Sequence, residues 1–158
     1  MGKASITDVV NDGWSSDGFG SPADWATVTT GYIALALADA AIWCADRFGV
    51  DATAYNAIAT TTAVGVLLKR AELLYVSHLF WRRRARYYDS AATVQMVENK
   101  HLIVREYNAL SEQALIDAEQ AISDALVANG EEADTPGTGL AVGYVQGGAF
   151  SAVEDIAA

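Results

Sequence analysis

The chain has 158 residues, of which 52% are hydrophobic and 19% charged, a balance that suits one domain with a core and argues against global disorder. Twenty acids against ten bases leave a net charge of −10, which argues against a general nucleic-acid coat, since phosphate binding needs clustered Lys and Arg. Cys44 is the single cysteine, which excludes an intramolecular disulfide framework and a cysteine-rich zinc module.

In chain order, residues 1–20 carry a short apolar patch (Ile6, Val9, Val10) and then Asn-Asp-Gly and Ser/Gly-rich sequence, which reads as an N-terminal arm or loop. Ser21-Pro22-Ala23-Asp24 has the residue types of a helix start: a capping hydroxyl, a proline for the first position and an acid near the positive end. Thr29-Thr30-Gly31 weakens that first part. From Tyr32 to Phe48 the helical spacing of Leu35, Ile42 and Trp43 is maintained, and Gly49 is a natural terminator. A connector, Val50 to Thr60, leads to the strongest expected helix. In it Val64, Leu67, Leu68, Ala71, Leu74, Tyr75, His78 and Trp81 form a wide apolar stripe running to about Tyr88.

Ala91 to Val97 is ambiguous between element types. His101 to Tyr107, with Leu102-Ile103-Val104 at its centre, is expected as a short strand. A third helix then runs from Asn108 or Ser111 to Val127, buries Leu115, Ala118, Ile122 and Leu126, and ends at Asn129-Gly130. Residues 131–158 differ in kind. They open acidic, turn through Thr135-Pro136-Gly137 and become Gly-rich, with Leu140, Val142 and Tyr144 alternating, as in an arm that needs a partner. The expected architecture is therefore mainly α. It is a small helical bundle over 21–130 with a short extended segment, followed by an extended Gly-rich C-terminal arm over 131–158.

No stretch has the pattern of a signal peptide or a membrane span. Residues 26–38 stop at Asp39, 52–68 contain Asn56 and three consecutive threonines, and 135–153 contain five glycines and a proline. The sequence reads as a soluble chain without a membrane partner.

Candidate chemistry is sparse. His78 lies on the apolar stripe and His101 precedes the expected strand, but no metal-ligand spacing joins them, so no metal or cofactor site is expected. Cys44 would need a histidine beside it in space to act as a nucleophile. Gly137-Thr138-Gly139-Leu140-Ala141-Val142-Gly143 resembles a dinucleotide-binding loop only superficially, since no βαβ unit can follow in fifteen residues. The basic cluster is the main asymmetry. Six bases and one acid between Lys69 and Arg86 give +5, so the rest of the chain carries −10 − 5 = −15, and after Arg105 ten acids follow with no base. Arg82, Arg83, Arg84 and Arg86, with Leu140, Val142, Tyr144 and Phe150 of the arm, are therefore the expected interface residues toward an identical subunit or another protein. A helical-bundle enzyme or ligand binder using Cys44 or His78, and a DNA-binding regulator using Arg82 to Arg86, are the alternatives.

The order of segments also resembles a known family. A helix reading Leu35-Ala-Leu-Ala-Asp-Ala-Ala-Ile-Trp-Cys-Ala-Asp-Arg-Phe-Gly49 precedes Val64-Gly-Val-Leu-Leu-Lys-Arg-Ala-Glu-Leu-Leu-Tyr-Val-Ser-His-Leu-Phe-Trp-Arg-Arg-Arg84. Leu102-Ile-Val-Arg-Glu-Tyr-Asn-Ala-Leu110 then leads into a last helix. This succession over roughly 32–126 resembles the head-to-tail connector (adaptor) proteins of tailed bacteriophages. The resemblance implies a non-enzymatic subunit of a homo-oligomeric neck ring, usually a dodecamer, located in the virion between head and tail and assembled in the host cytoplasm. Such a ring docks under the portal protein and offers a platform to a neck stopper or tail-completion protein. Genomic DNA passes through its channel without sequence-specific binding.

Overall fold

A computed structural model describes residues 2–19, 21–90 and 100–133, with side chains described for the same residues except 89–90 and 131–133. The elements are α1 (Ile6–Asn11), a 3-10 turn (Ser16–Phe19), α2 (Tyr32–Phe48), α3 (Ala52–Ala57), α4 (Ala63–Ser90) and α5 (Lys100–Ala133). The molecule is mainly helical, and no strand occurs among the described residues.

The long helices α4 and α5 form an antiparallel hairpin. Val64 and Leu68 share a core with Ala121, Ile122 and Ala125, while at the other end Trp81 stacks on Tyr107 at 5.4 Å. Ala114, Ala118, Ala121 and Ala125 are all buried at spacings of three and four, a row of small side chains that lets the two helices approach closely. Helix α2 covers the hairpin through Ile33, Ala36, Leu37, Ala40, Cys44, Ala45 and Phe48. It ends as its sequence predicts, with Gly49 in the left-handed conformation at φ 79°.

Four expectations change. The strand expected over His101–Tyr107 is the first part of α5. Ile103, Tyr107, Ser111, Ala114 and Ala118 stand three or four residues apart, and all except Ile103 have a described contact with α4 or are buried, so packing overrides the β-branched run. Asn129-Gly130 does not end the last helix, which continues to Ala133. The helix start expected at Ser21 is instead a series of turns around Trp25. Ser21 has φ 50°, and the Trp25 carbonyl accepts from the Ile33 N–H at 3.2 Å. Trp25 stacks on Phe19 at 4.9 Å, and reaching that ring bends the chain back before α2 begins. Residues 2–19, expected as an arm or loop, lie on the bundle, with Val9 and Phe19 in its core. Serine 5 and Asp8 close a capping box around α1. The connector after Val50 holds the short helix α3, capped by Asp51. The C-terminal arm lies outside the described residues.

Candidate functional site: an arginine-rimmed groove and a buried carboxylate

Four arginines occupy five positions near the end of α4, and the structure gives them two different environments. Arg82 and Arg86 are exposed and lie one turn apart on the same face of the helix. Arg83 is exposed too, but its guanidinium sits 3.8 Å above the Tyr32 ring, a cation–π contact. Arg84 is wedged into the fold. Its guanidinium faces the Tyr107 ring at 5.2 Å and the Trp81 ring at 5.7 Å, and its Nε is buried without a hydrogen-bond partner among the described residues. Gly18 lies against it so closely that a Cβ there would come within 3.0 Å of Arg84 Cζ. The four arginines do not form one uniform patch: Arg84 holds the N-terminal segment against the hairpin, and the other three face outward.

Arg82, Arg83 and Arg86 rim a groove of about 710 Å³ between α2 and α4. Its floor is apolar (Phe19, Ala36, Leu79, Phe80), and Tyr32 and Leu35 form the α2 wall. Asp39 supplies the one carboxylate among the lining residues against three guanidinium groups. Among the described residues none of the four arginines is in an ion pair; the two pairs present are Arg47–Glu119 at 3.7 Å and Lys69–Asp8 at 2.8 Å. Leu140, Val142, Tyr144 and Phe150, the other expected interface residues, lie outside the described residues.

The alternative candidates sit elsewhere and apart. Cys44 is fully buried in the core. Burial, with the charge of Glu72 second, pushes its thiol up to about 12, so it is a core thiol at neutral pH. His78 joins α4 to α5: its Nδ1 lies 2.9 Å from both the Ser111 carbonyl and the Ser111 hydroxyl, while that hydroxyl also donates to the His78 carbonyl at 3.1 Å. His101 is exposed at the start of α5, in a shallow groove with Lys100 and Arg105. Among the described residues no group of three or more His, Cys, Asp or Glu is placed to hold a metal ion. No helix among them is long and apolar enough to cross a membrane.

The sequence reading missed a buried carboxylate that ties three segments of the fold together. Glu72 is completely buried. One oxygen accepts the Lys3 backbone N–H at 2.9 Å and the Tyr55 hydroxyl at 2.8 Å, and the other accepts the Ala4 N–H at 2.6 Å. The Lys3 ammonium donates to the Tyr55 and Ile58 carbonyls at the end of α3 and sits over the Tyr55 ring. Desolvation lowers the Lys3 pKa, partly opposed by the Glu72 charge. Outside this network Lys69 bonds Asp8, and that bond, with the Ser5 contacts, holds the Asp8 carboxyl at about 2. The signal was present: Leu68, Glu72 and Val76 are spaced by four, so an acid shares a helix face with two core residues.

Compared with known families, with curated proteins and with solved structures, the chain matches none.

Proposed function

We propose that the chain is a structural subunit of a tailed-phage neck ring, a head-to-tail adaptor that docks under the portal, extends the DNA channel and carries the next neck or tail protein. The observation that carries this reading is the split of charge and contact on one small helical subunit. At one end of the hairpin three outward-facing arginines rim a groove without ion-paired partners among the described residues, while after Arg105 the sequence carries ten acids and no base. Complementary surfaces at different places on one subunit favour a heterologous contact, and repeated heterologous contacts close into rings. The sequence resemblance over roughly 32–126 supplies the kind of ring, its position in the virion and its non-enzymatic character. The net acidity suits a channel wall that DNA must pass without being gripped.

Mass analysis of purified virions tests the reading. The chain is expected among the particle proteins, in a copy number that fits a ring and together with the portal. Particles that are complete, infectious and free of the chain would refute it.

A further inference from the structure

The arginine-rimmed groove has a floor and a rim of different chemistry, and that combination narrows what it fits. Phe80 and Phe19 make the base apolar, while exposed Leu35 and Tyr87 extend that apolar surface toward the rim. Arg82 and Arg86 stand above it about 6 Å apart along the helix axis, at a rise of about 1.5 Å per residue. The matching ligand is a peptide with an aromatic side chain close to two carboxylates. A bare phosphate would leave the floor empty, and duplex DNA would meet the strongly acidic remainder of the chain.

Three carboxylates of α5 are already engaged on the bundle. Asp117 and Asp124 accept hydrogen bonds from Gln113 and Gln120, each at 2.8 Å, and Glu119 is paired with Arg47. From Glu131 to Asp155 the sequence has five acids, the first two still in α5, and no base; of the two aromatics in that stretch, Tyr144 and Phe150, only Phe150 closely precedes adjacent acids, Glu154 and Asp155, four and five positions on. We infer that the groove of one copy receives the Phe150–Asp155 stretch of a second copy, with Phe150 on the apolar floor and the two carboxylates on Arg82 and Arg86. Arg suits this contact because its planar fork can hold a carboxylate through two hydrogen bonds.

The groove and the point where the chain leaves the bundle lie at opposite ends of the hairpin. The groove lies at the end of the hairpin marked by Trp81 and Tyr107, and the chain leaves α5 at the opposite end, at Ala133. Those two points are about 39 Å apart along α5 at a rise of about 1.5 Å per residue. A groove at one end of the hairpin and a segment that follows the other end in sequence suit a head-to-tail link between copies. This inference deepens the neck-ring reading and rests on it only for the existence of a repeating assembly.

Sedimentation velocity on the full-length chain tests it, using wild type, Arg82→Glu with Arg86→Glu, Glu154→Arg with Asp155→Arg, and the fourfold charge swap, with circular dichroism to confirm folding. Wild type is expected to self-associate with concentration, less so as salt rises. Each double reversal should weaken association by about tenfold or more, the fourfold swap should restore it, and an equimolar mixture of the two double variants should associate although neither does alone. Phe150→Ala should weaken association without changing its salt dependence. The arm reversal alters no residue of the bundle described above, so it decides the matter even if the groove reversal misfolds. Wild type that stays monomeric, association indifferent to the arm reversal, or duplex DNA binding lost with Arg82 and Arg86 in place of self-association would overturn the inference. Chain present in virions but without arm–groove coupling removes the docking alone; coupling in solution with the chain absent from virions removes the neck reading alone.

Discussion

Glu72 shows how a single residue can tie the N-terminal segment to the bundle. Its carboxylate accepts two consecutive backbone N–H groups from Lys3 and Ala4, which neither α1 nor the turn preceding it could satisfy. Glu72→Gln puts an amide N–H₂ where one of those donors now finds an acceptor, and should cost about 1–3 kcal/mol in denaturant-induced unfolding. Loss of Glu72 should also expose the segment before α1 to limited proteolysis while α4 and α5 remain helical by circular dichroism. Asp8 contributes differently. Its carboxyl titrates at about 2, below the ordinary carboxylate range, so the stability it adds is present above about pH 4 and is lost as pH falls toward 2. Asp8→Asn should therefore be less stable than wild type at pH 6, with the gap closing by pH 2 in parallel acid titrations. Equal gaps at both pH values would mean that the Lys69 contact adds nothing.

At the scale of elements, two glycines in long helices behave in opposite ways. Gly65 sits in the first turn of α4, where a Cβ would come within 1.9 Å of the Ala59 carbonyl oxygen. Gly65→Ala should destabilise by on the order of 1–3 kcal/mol despite the better helix propensity of alanine, because backbone stands in the way. Gly130 lies in α5 with open space where its Cβ would be. There the change to alanine should stabilise by about 0.5–1 kcal/mol, since only the conformational entropy of glycine is removed. Thermal melts of the two variants should move in opposite directions. The same contrast explains what could be read of the helices. The span of α2 and the stripe of α4 were legible because apolar residues recur along both and Gly49 punctuates the first, but the buried face of α2 was not: Leu35 and Ile42, on which its spacing was read, are exposed, and Ile33, Ala36, Leu37, Ala40 and Cys44 face the core. The N-terminal half of α5 was not, because Leu102-Ile103-Val104 has strand propensity and its helical state depends on Trp81 and the rest of α4.

At the scale of the whole molecule the arginine end is where the proposed assembly contact lies, and the tertiary structure divides its members. Arg84 is enclosed by aromatic rings and Arg83 lies on Tyr32, so reversing either charge would disturb folding as well as any contact. Arg82 and Arg86 are exposed and have no ion-paired partner among the described residues, which makes them the informative pair. Replacing both with alanine should change the unfolding free energy by less than about 0.5 kcal/mol while reducing incorporation into neck assemblies, and wild-type assembly should weaken as salt rises. A large loss of stability in that variant would place these side chains in the fold and not at a contact. The concentration of arginines at one helix end was legible in the sequence; which of them face outward depended on where Gly18, Tyr32 and Tyr107 come to rest.

By itself the sequence determined the helical class, the span of α2 with its glycine stop, the long α4 and the concentration of positive charge at its end. These follow from periodicity, capping and composition, which act over a few residues. The tertiary structure alone decided that residues 2–19 belong to the core, that the expected strand is helix, and that Glu72 rather than Cys44 or a histidine organises the polar interior. Those outcomes turn on partners 17 to 69 positions apart, such as Tyr55 and Lys3 with Glu72. Contacts at such separations depend on how the helices pack, and the cost of burying a charge is met only when all its donors arrive together.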